Sequence, residues 1–294
     1  MRGNDDGACT RGTDGERIER LAEDAELALL LEVSGTPKPG NVDRERDYPD
    51  LRFEHFVAGA VRARPGLEEL AAGGPIGEGF ETAVAGMSRQ SGGNTQFGAL
   101  LALAPLVSAA AGDRLDPEGV RGVVAETTVD DAVAFYRAFD HVTVSVGEPP
   151  ADVDAPDVRL AADAEPRLRG RGLTLADVMA ESAPVDGVAA EWTEGFPRTF
   201  AAARSILEAS GPVADRAAAV YLDLLADRVD TFVASQHGPE TARSVRDRAA
   251  AARDGEVDPT ALAEEFVERG INPGTTADLT AAALFVALRR GLEV

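Results

Sequence analysis

The first segment that could carry chemistry covers residues 36–44, read TPKPGNVDR. Its two prolines stiffen the backbone, and Gly40 permits a tight turn. The polar side chains on this frame are Lys38, Asn41, Asp43 and Arg44. Lys38 is the only lysine among 29 basic residues, and its compact ammonium suits a phosphate in a way that arginine does not reproduce. The segment therefore predicts a phosphate contact at Lys38, with a purely structural turn between helices as the alternative.

Two further segments each combine glycine and hydroxyl residues with the start of an apolar helix. Residues 91–95 read SGGNT, and residues 272–278 read NPGTTAD. The free N–H groups at the start of a helix form an anion site, although capping by Asn94 or Thr95 is the simpler explanation of the first segment taken alone. Neither a G-x-G-x-x-G motif after a strand nor a G-x-x-x-x-G-K-[ST] motif is present, so Rossmann and P-loop sites have no support.

Four acidic residues are expected to point inward or to lie in these loops. Glu32 follows Ile18 by two heptads and therefore faces the buried stripe of the first helix, where a carboxylate needs a partner. Asp131 shares an apolar stripe with Phe135, and Asp278 lies in the first turn of an apolar helix. Together with Asp43, these carboxylates could hold Mg²⁺ on a polyphosphate, because Mg²⁺ prefers a few carboxylates plus phosphate oxygens.

Composition excludes several other classes of function. The net charge of −22 disfavours binding to nucleic acid or to anionic membranes, and the lack of lysine indicates adaptation to molar salt. His55, His141 and His237 are scattered, and Cys9 is the single cysteine, so a histidine or cysteine metal site and a disulfide are not expected. No apolar run is long enough for a membrane span, which predicts a cytoplasmic protein. The expected partners are small nucleotides, and the question of a homo-oligomer stays open.

Helices must position these side chains. Helical periodicity recurs along the chain, and the segments at about 95–111 and 275–290 are apolar nearly all round, as central helices would be. We therefore predict an all-α, multi-helix bundle with two buried, apolar central helices. Residues 1–13 are expected to form a disordered tail, and residues 14–294 a single helical catalytic domain. A loop excursion is placed at 142–172, with weak alternation at 142–147 that favours a short strand.

In this order, the three segments resemble the motifs of the triphosphoribosyl-dephospho-CoA synthase family, namely T-P-K-P-G-x-V-D, G-x-N-T-x-x-G and S-P-G-x-x-A-D-L. Here they read TPKPGNVDR, GGNTQFGALLAL and NPGTTADLTAAALF, and the resemblance extends over about residues 17–290. It implies an all-α enzyme that moves the 5-triphosphoribosyl group of ATP to the 2′-hydroxyl of 3′-dephospho-CoA and releases adenine. The acidic composition suggests a divergent member of haloarchaeal type.

The resemblance also implies roles for individual residues. Asp43, Glu32 and Asp278 would be catalytic, with Asp43 the first candidate for general base or for stabilising an oxocarbenium-like transition state. Glu32, Asp43, Asp131 and Asp278 would hold Mg²⁺ or polarise the acceptor hydroxyl. The residues expected to bind substrate are Lys38, Pro39, Gly40, Asn41, Arg44, Gly92, Gly93, Asn94, Thr95, Asp131, Pro273, Gly274, Thr275 and Thr276.

Two departures from the family pattern concern the acceptor. The family's N-T-H-K-G is N-T-Q-F-G here, which places Gln96 and Phe97 where the motif has histidine and lysine. The family's G-x-H-x-D-M is replaced by RDYPDLRFEHF. Both changes remove groups that could contact an anionic substrate, so the acceptor could differ from dephospho-CoA. An N-glycosidic hydrolase and a non-catalytic nucleotide-binding module are the alternative functions.

Overall fold

The computed structural model describes residues 14–147 and 153–294, and this part of the chain is almost entirely helical. The expected tail at 1–13, including Cys9, lies outside the described residues. The only β feature within them is an isolated bridge between Asp43 and Arg46, so the predicted all-α class is confirmed. The α-helices are α1 (Asp14–Ser34), α2 (Phe53–Ala71), α3 (Ile76–Met87), α4 (Phe97–Ala111), α5 (Pro117–Ala125), α6 (Val129–Arg137), α7 (Glu165–Arg171), α8 (Leu175–Ser182), α9 (Gly187–Glu194), α10 (Pro197–Glu208), α11 (Val213–Asp227), α12 (Thr231–Arg253), α13 (Pro259–Glu268) and α14 (Gly274–Arg289).

The helices α4 and α14 form the centre of the bundle and pack against each other. Nearly every side chain of both helices is buried, as expected for segments that are apolar nearly all round. The two predicted central helices are therefore confirmed. Neither they nor any other helix within the described ranges is long and apolar enough to cross a membrane.

The remaining helices surround this pair. The helix α1 packs against α2, α4, α11 and α14, while α10 lies on α14 and α11 on α12. The helices α2 and α3 approach closely because Gly66 faces the backbone of α3, where a Cβ would overlap Ala83 N and Gly79 O. Because α1 contacts both central helices, the turn that follows its last residue, Ser34, lies near the starts of α4 and α14.

Two predictions about elements differ from the structure. Residues 142–147 form no strand, because no partner strand is present in the described part of the chain. The helices α9 and α10 are separated at Gly195 and Phe196, which both have positive φ, and Pro197 starts the second of them. Within the loop excursion expected at 142–172, residues 158–171 are helical and pack against α6.

Candidate active site

The turn that follows α1 is folded tightly against α14. Its Thr36–Pro37 peptide bond is cis, and Gly40 has a φ of 78°. A Cβ at Gly40 would overlap the carbonyl oxygen of Ile271, so only glycine fits at this position. The segment that the sequence singled out is therefore a defined turn whose backbone contacts the residues just before α14.

Asp43 organises this turn from inside. Its side chain is fully buried, and Oδ2 accepts hydrogen bonds from Thr36 Oγ1 at 2.9 Å and from Lys38 N at 3.1 Å. Arg46 Nη1 donates to the same oxygen at 3.2 Å, and Glu45 N donates to Oδ1 at 2.8 Å. Because both carboxylate oxygens already accept protein N–H or O–H groups, Asp43 has a structural role in holding this turn.

Lys38 and Glu32 form a buried ion pair. The ammonium of Lys38 has no exposed surface, donates to Glu32 Oε1 and to Asn41 Oδ1 at 3.1 Å, and lies 5.8 Å from the ring centroid of Tyr221. Burial raises the pKa of Glu32, the attraction of Lys38 lowers it, and the net direction is upward. Glu32 has the partner that its inward position requires, and the lysine nitrogen is enclosed by protein rather than open to a phosphate.

Three side chains tie this turn to distant helices. Asn41 Nδ2 donates to Asn272 Oδ1 at 2.9 Å, which joins the first and third motifs. Tyr221 on α11 donates its hydroxyl to Pro39 O at 2.9 Å. Tyr48 Oη bonds the carbonyl oxygens of Gly40 and Ile271 at 2.6 and 3.1 Å. The turn is consequently fixed relative to the start of α14.

The second motif lies between α3 and α4 and is held by His55. Ser91 Oγ lies 3.1 Å from His55 Nε2, and Gly92 packs so closely on the imidazole that a Cβ would overlap it. Asn94 Oδ1 accepts a hydrogen bond from Phe97 N at 3.1 Å and so caps α4. The capping interpretation of this motif therefore holds for Asn94, while Gly93 has a φ of 71° and faces open space.

The third motif opens α14 and is joined to the start of α12. Asp230 Oδ2 accepts hydrogen bonds from Thr276 N at 2.8 Å and Thr276 Oγ1 at 2.7 Å, while its Oδ1 accepts Val233 N at 2.9 Å. Thr275 Oγ1 lies 3.0 Å from Thr231 Oγ1. One carboxylate thus caps two helices, and burial raises the pKa of Asp230 despite these donors.

A cleft of about 120 Å³ opens where α9, α12 and α14 begin. Gly187 N donates to Thr231 Oγ1 at 2.9 Å, which links the first two of these helix starts. Two arginines line the cleft: Arg228 is largely exposed, and Arg198 is largely buried, with an Nε that forms no hydrogen bond and lies 3.8 Å from Asp227 Oδ2. Burial lowers the pKa of Arg198. The cleft thus combines three partial positive helix ends and two guanidinium groups with four carboxylates, those of Asp186, Glu191, Glu194 and Asp230.

The sequence did not single out several of these cleft residues. Asp186 and Asp230 each precede a helix and read as ordinary N-caps, which is also one of their roles in the structure. Arg198 and Arg228 carry no local pattern that separates them from the other arginines. The sequence feature that pointed to the cleft was the pair of threonines at 275 and 276, which lie in the third motif and line the cleft.

Asp278 connects the cleft to the buried turn. Its carboxylate lies against Gly98, where a Cβ would overlap Oδ2, and it accepts a backbone hydrogen bond from Ala99 in the first turn of α4. Although part of Asp278 reaches the surface, its carboxylate is enclosed by protein. That burial, followed by the nearby charges of Glu32, Asp230 and Asp186, raises the pKa of Asp278 well above its usual value.

Two residues expected at the site have other surroundings. Asp131 joins α6 to α3: its Oδ1 accepts Gly77 N at 2.8 Å, and its Oδ2 accepts Thr128 N and Oγ1. Arg44 is exposed and donates to Ser34 O at 3.1 Å. The structure therefore brings Glu32, Asp43 and Asp278 into one electrostatic neighbourhood but leaves Asp131 elsewhere. The described residues contain no ready group of three metal-ligand side chains, so the expected four-carboxylate Mg²⁺ site is not assembled.

The buried pair leads to a stability prediction. We expect Lys38→Met to lower the free energy of unfolding by about 3–5 kcal/mol, because Glu32 is left buried without its cation. The loss should shrink at acidic pH. A carboxyl whose folded pKa is raised binds its proton more tightly when folded, so stability falls as the pH rises from the unfolded value through the folded one. Denaturant unfolding at pH 5 and pH 8 measures both effects.

The control for this variant is Arg253→Met, which removes one member of an exposed pair with Asp254. Its effect should stay within about 0.5 kcal/mol. The Lys38→Met loss should also persist in molar salt, because buried charges are screened much less than exposed ones. Equal losses in the two variants would contradict the interpretation of Lys38 as a buried structural cation.

Comparison with known proteins places this site in a family. The profile described as CitG, ATP:dephospho-CoA triphosphoribosyl transferase, matches residues 18–293. A crystal structure from Archaeoglobus fulgidus, provisionally described as a triphosphoribosyl-dephospho-CoA synthase, has 27% sequence identity and a TM-score of 0.65. The match covers 81% of this chain and 100% of that one. No protein with curated annotation matches the sequence significantly. Because the profile covers nearly the whole chain, the protein belongs to the ATP:dephospho-CoA triphosphoribosyl transferase family and is a transferase that uses ATP as substrate.

Proposed function

We propose that the cleft at the starts of α9, α12 and α14 binds the triphosphate of ATP and that the carboxylate of Asp278, which is enclosed in the free protein, meets the ribose once the nucleotide is bound. The observation that carries this proposal is the convergence of three helix N-termini with Arg198 and Arg228 in one concave site. Helix N-termini and guanidinium groups both attract phosphate. These groups would have to offset the four carboxylates that also line the cleft and the net charge of −22.

The reaction breaks the bond between ribose C1′ and adenine N9 and forms a bond from C1′ to the 2′-oxygen of 3′-dephospho-CoA. Adenine leaves with the electron pair of the broken bond, and the acceptor hydroxyl loses its proton. Positive charge develops on the ribose in an oxocarbenium-like transition state, which nearby carboxylates stabilise. Asp278 is our candidate for proton acceptor, because a raised pKa makes its carboxylate a stronger base.

The buried ion pair of Lys38 and Glu32 supports this arrangement without contacting the substrate. Glu32 influences the charge of Asp278, and Lys38 holds Glu32 in place through the buried ion pair. We assign Lys38 to positioning, since its ammonium is enclosed by Glu32, Asn41 and Tyr221. Asp43 acts one step further away by fixing the turn that carries Lys38.

Mg²⁺ would enter with the nucleotide rather than occupy a prebuilt protein site. Mg²⁺ is often bound by one or two carboxylates together with substrate phosphates. Asp186 at the edge of the cleft and Asp278 beside it would supply those carboxylates. The ion would neutralise phosphate charge when bound.

The function is tested by adenine release from ATP in molar salt, with and without 3′-dephospho-CoA. We expect release only when the acceptor is present, with one adenine formed per acceptor modified. Inorganic tripolyphosphate should compete with ATP, because it presents the same anionic groups to the cleft. Chromatography of adenine and mass measurement of the acceptor follow both products. Release without acceptor would replace the transferase proposal with a hydrolase, and binding without release would indicate a non-catalytic module.

The cleft itself is tested by Arg228→Met. We expect the Kd for ATP to rise roughly tenfold, since a hydrogen bond to a charged group contributes about 1.5 kcal/mol. The control is Arg243→Met, an exposed arginine that lines a separate concavity beside His237 and Arg269. Calorimetry without acceptor measures both constants. A similar weakening in the two variants would mean that general surface charge, not the cleft, attracts the nucleotide.

The role of Asp278 is tested by Asp278→Asn. We expect kcat to fall by about 10²- to 10⁴-fold, the usual contribution of a positioned base. The free energy of unfolding should be unchanged or higher in this variant. The amide oxygen can still accept the hydrogen bond from Ala99 N–H, and the substitution removes a buried charge. In the unsubstituted protein, kcat should increase as the pH rises through the raised pKa of Asp278, and the variant should lose that inflection. Asp130→Asn, at an exposed carboxylate on α6, is the control and should change neither quantity.

A further inference from the structure

Three polar atoms just before α4 lack partners although they are buried. Gln96 has only 4% of its surface exposed, and neither its Oε1 nor its Nε2 forms a hydrogen bond with any described residue. The hydroxyl of the preceding Thr95 is also buried without a partner. Buried amides are nearly always hydrogen-bonded in folded proteins. An unpaired donor and acceptor on the same side chain therefore require a group from outside the chain, either an ordered water or a ligand.

The position of Gln96 relates it to the proposed ATP site. Gly98, two residues further along, contacts the carboxylate of Asp278. Asp278 lies one turn into α14, whose first threonines line the cleft. Because a helix rises about 1.5 Å per residue, Gln96 lies within about one turn of the Asp278 contact. The carboxamide of Gln96 lies beside Gly59 on α2 and Met87 on α3, whereas Gly98 faces Asp278 on α14. A nucleotide that reaches both would therefore cross the start of α4, with its triphosphate in the cleft, its ribose at Asp278 and its base at Gln96.

The surroundings of Gln96 suit an uncharged planar group. Its backbone N–H bonds the sulfur of Met87 at 3.2 Å, and a Cβ at Gly59 would come within 3.2 Å of Gln96 Oε1. These methionine and glycine neighbours carry no charge and provide no counter-ion, so a phosphate or carboxylate would be poorly matched to the site at Gln96. A heterocycle with a donor and an acceptor side by side matches the carboxamide of glutamine.

We propose that Gln96 recognises the adenine base of ATP. Its Oε1 accepts a hydrogen bond from the 6-amino group, and its Nε2 donates to N7, the bidentate pairing that glutamine makes with adenine in other settings. This inference rests on the proposed ATP site and adds the residue that selects the base. The donation to N7 also stabilises the electron pair that moves into the ring when the bond between C1′ and N9 breaks.

The same geometry predicts discrimination between purines. Hypoxanthine has an oxygen at position 6, so both atoms facing Gln96 would be acceptors. The amide could then satisfy only one of them, and its own oxygen would be left unpaired. ATP should therefore bind more tightly than inosine triphosphate in the unsubstituted protein, by about 5- to 150-fold for one bidentate pairing.

The test uses Gln96→Met, a side chain of similar length without the amide. Calorimetry in molar salt without acceptor gives the Kd values of ATP, inosine triphosphate, 7-deaza-ATP and inorganic tripolyphosphate. We expect the Kd of ATP to rise about 5- to 150-fold in the variant, while the Kd of tripolyphosphate is unchanged and the preference for ATP over inosine triphosphate disappears. In the unsubstituted protein, 7-deaza-ATP should bind more weakly than ATP, and the variant should not distinguish the two.

Ser108→Ala is the matched control. Ser108 lies on the same helix and its hydroxyl is also buried without a partner, but it is separated from Asp278 by several turns. Its substitution should leave all four Kd values unchanged. Retention of the ATP preference in Gln96→Met would overturn the inference, as would equal binding of ATP and 7-deaza-ATP by the unsubstituted protein. Failure of the unsubstituted protein to bind either ATP or tripolyphosphate would instead overturn the proposed function, and the inference with it.

Discussion

The ion pair between Lys38 and Glu32 is the constraint on which the geometry of the site depends. An ammonium without exposed surface is tolerated only when a counter-ion and further acceptors surround it, and here Glu32 and Asn41 supply them. Glu32 belongs to α1, whereas Lys38 belongs to the turn. Satisfying the charge therefore fixes the turn against the helix, and the bond from Asn41 to Asn272 extends that constraint to the start of α14. A guanidinium is wider and needs more acceptors, which gives a physical reason for the single lysine in an arginine-rich chain.

A second constraint is electrostatic. A chain with a net charge of −22 must bind a triphosphate, and its carboxylates Asp186, Asp230 and Asp278 lie near the proposed position of that anion. Asp230 is compatible with an anion because its oxygens already accept N–H and O–H groups from α12 and α14. Molar salt shortens the screening length to about 3 Å, which removes long-range repulsion but leaves direct contacts with helix N-termini and arginines. The site can thus attract phosphate at contact distance while the surface stays acidic.

Local sequence patterns predicted the elements well where capping and periodicity operate within one helix. Asp116 with Pro117 and Thr128 with Asp131 mark the starts of α5 and α6, and the apolar composition of α4 and α14 predicts their central position. The burial of Glu32 followed from heptad spacing, but its partner did not, because periodicity identifies a buried face and not the group opposite it. Asp131 shows the same limit: it is buried as expected, yet its partner Gly77 lies 54 residues away in sequence.

The two substitutions within the family's N-T-H-K-G segment, Gln96 and Phe97, have different physical consequences although they are adjacent in sequence. Phe97 packs against Phe80 and Phe139 at centroid distances of 5.1 and 4.8 Å, so its replacement of a lysine belongs to an aromatic core. A charged side chain would not be stable in that cluster, and position 97 therefore supplies no charged contact in this chain. Gln96 instead retains polar atoms that nothing in the described protein satisfies. Of the two changes, only the one at position 96 can alter which molecule the site recognises.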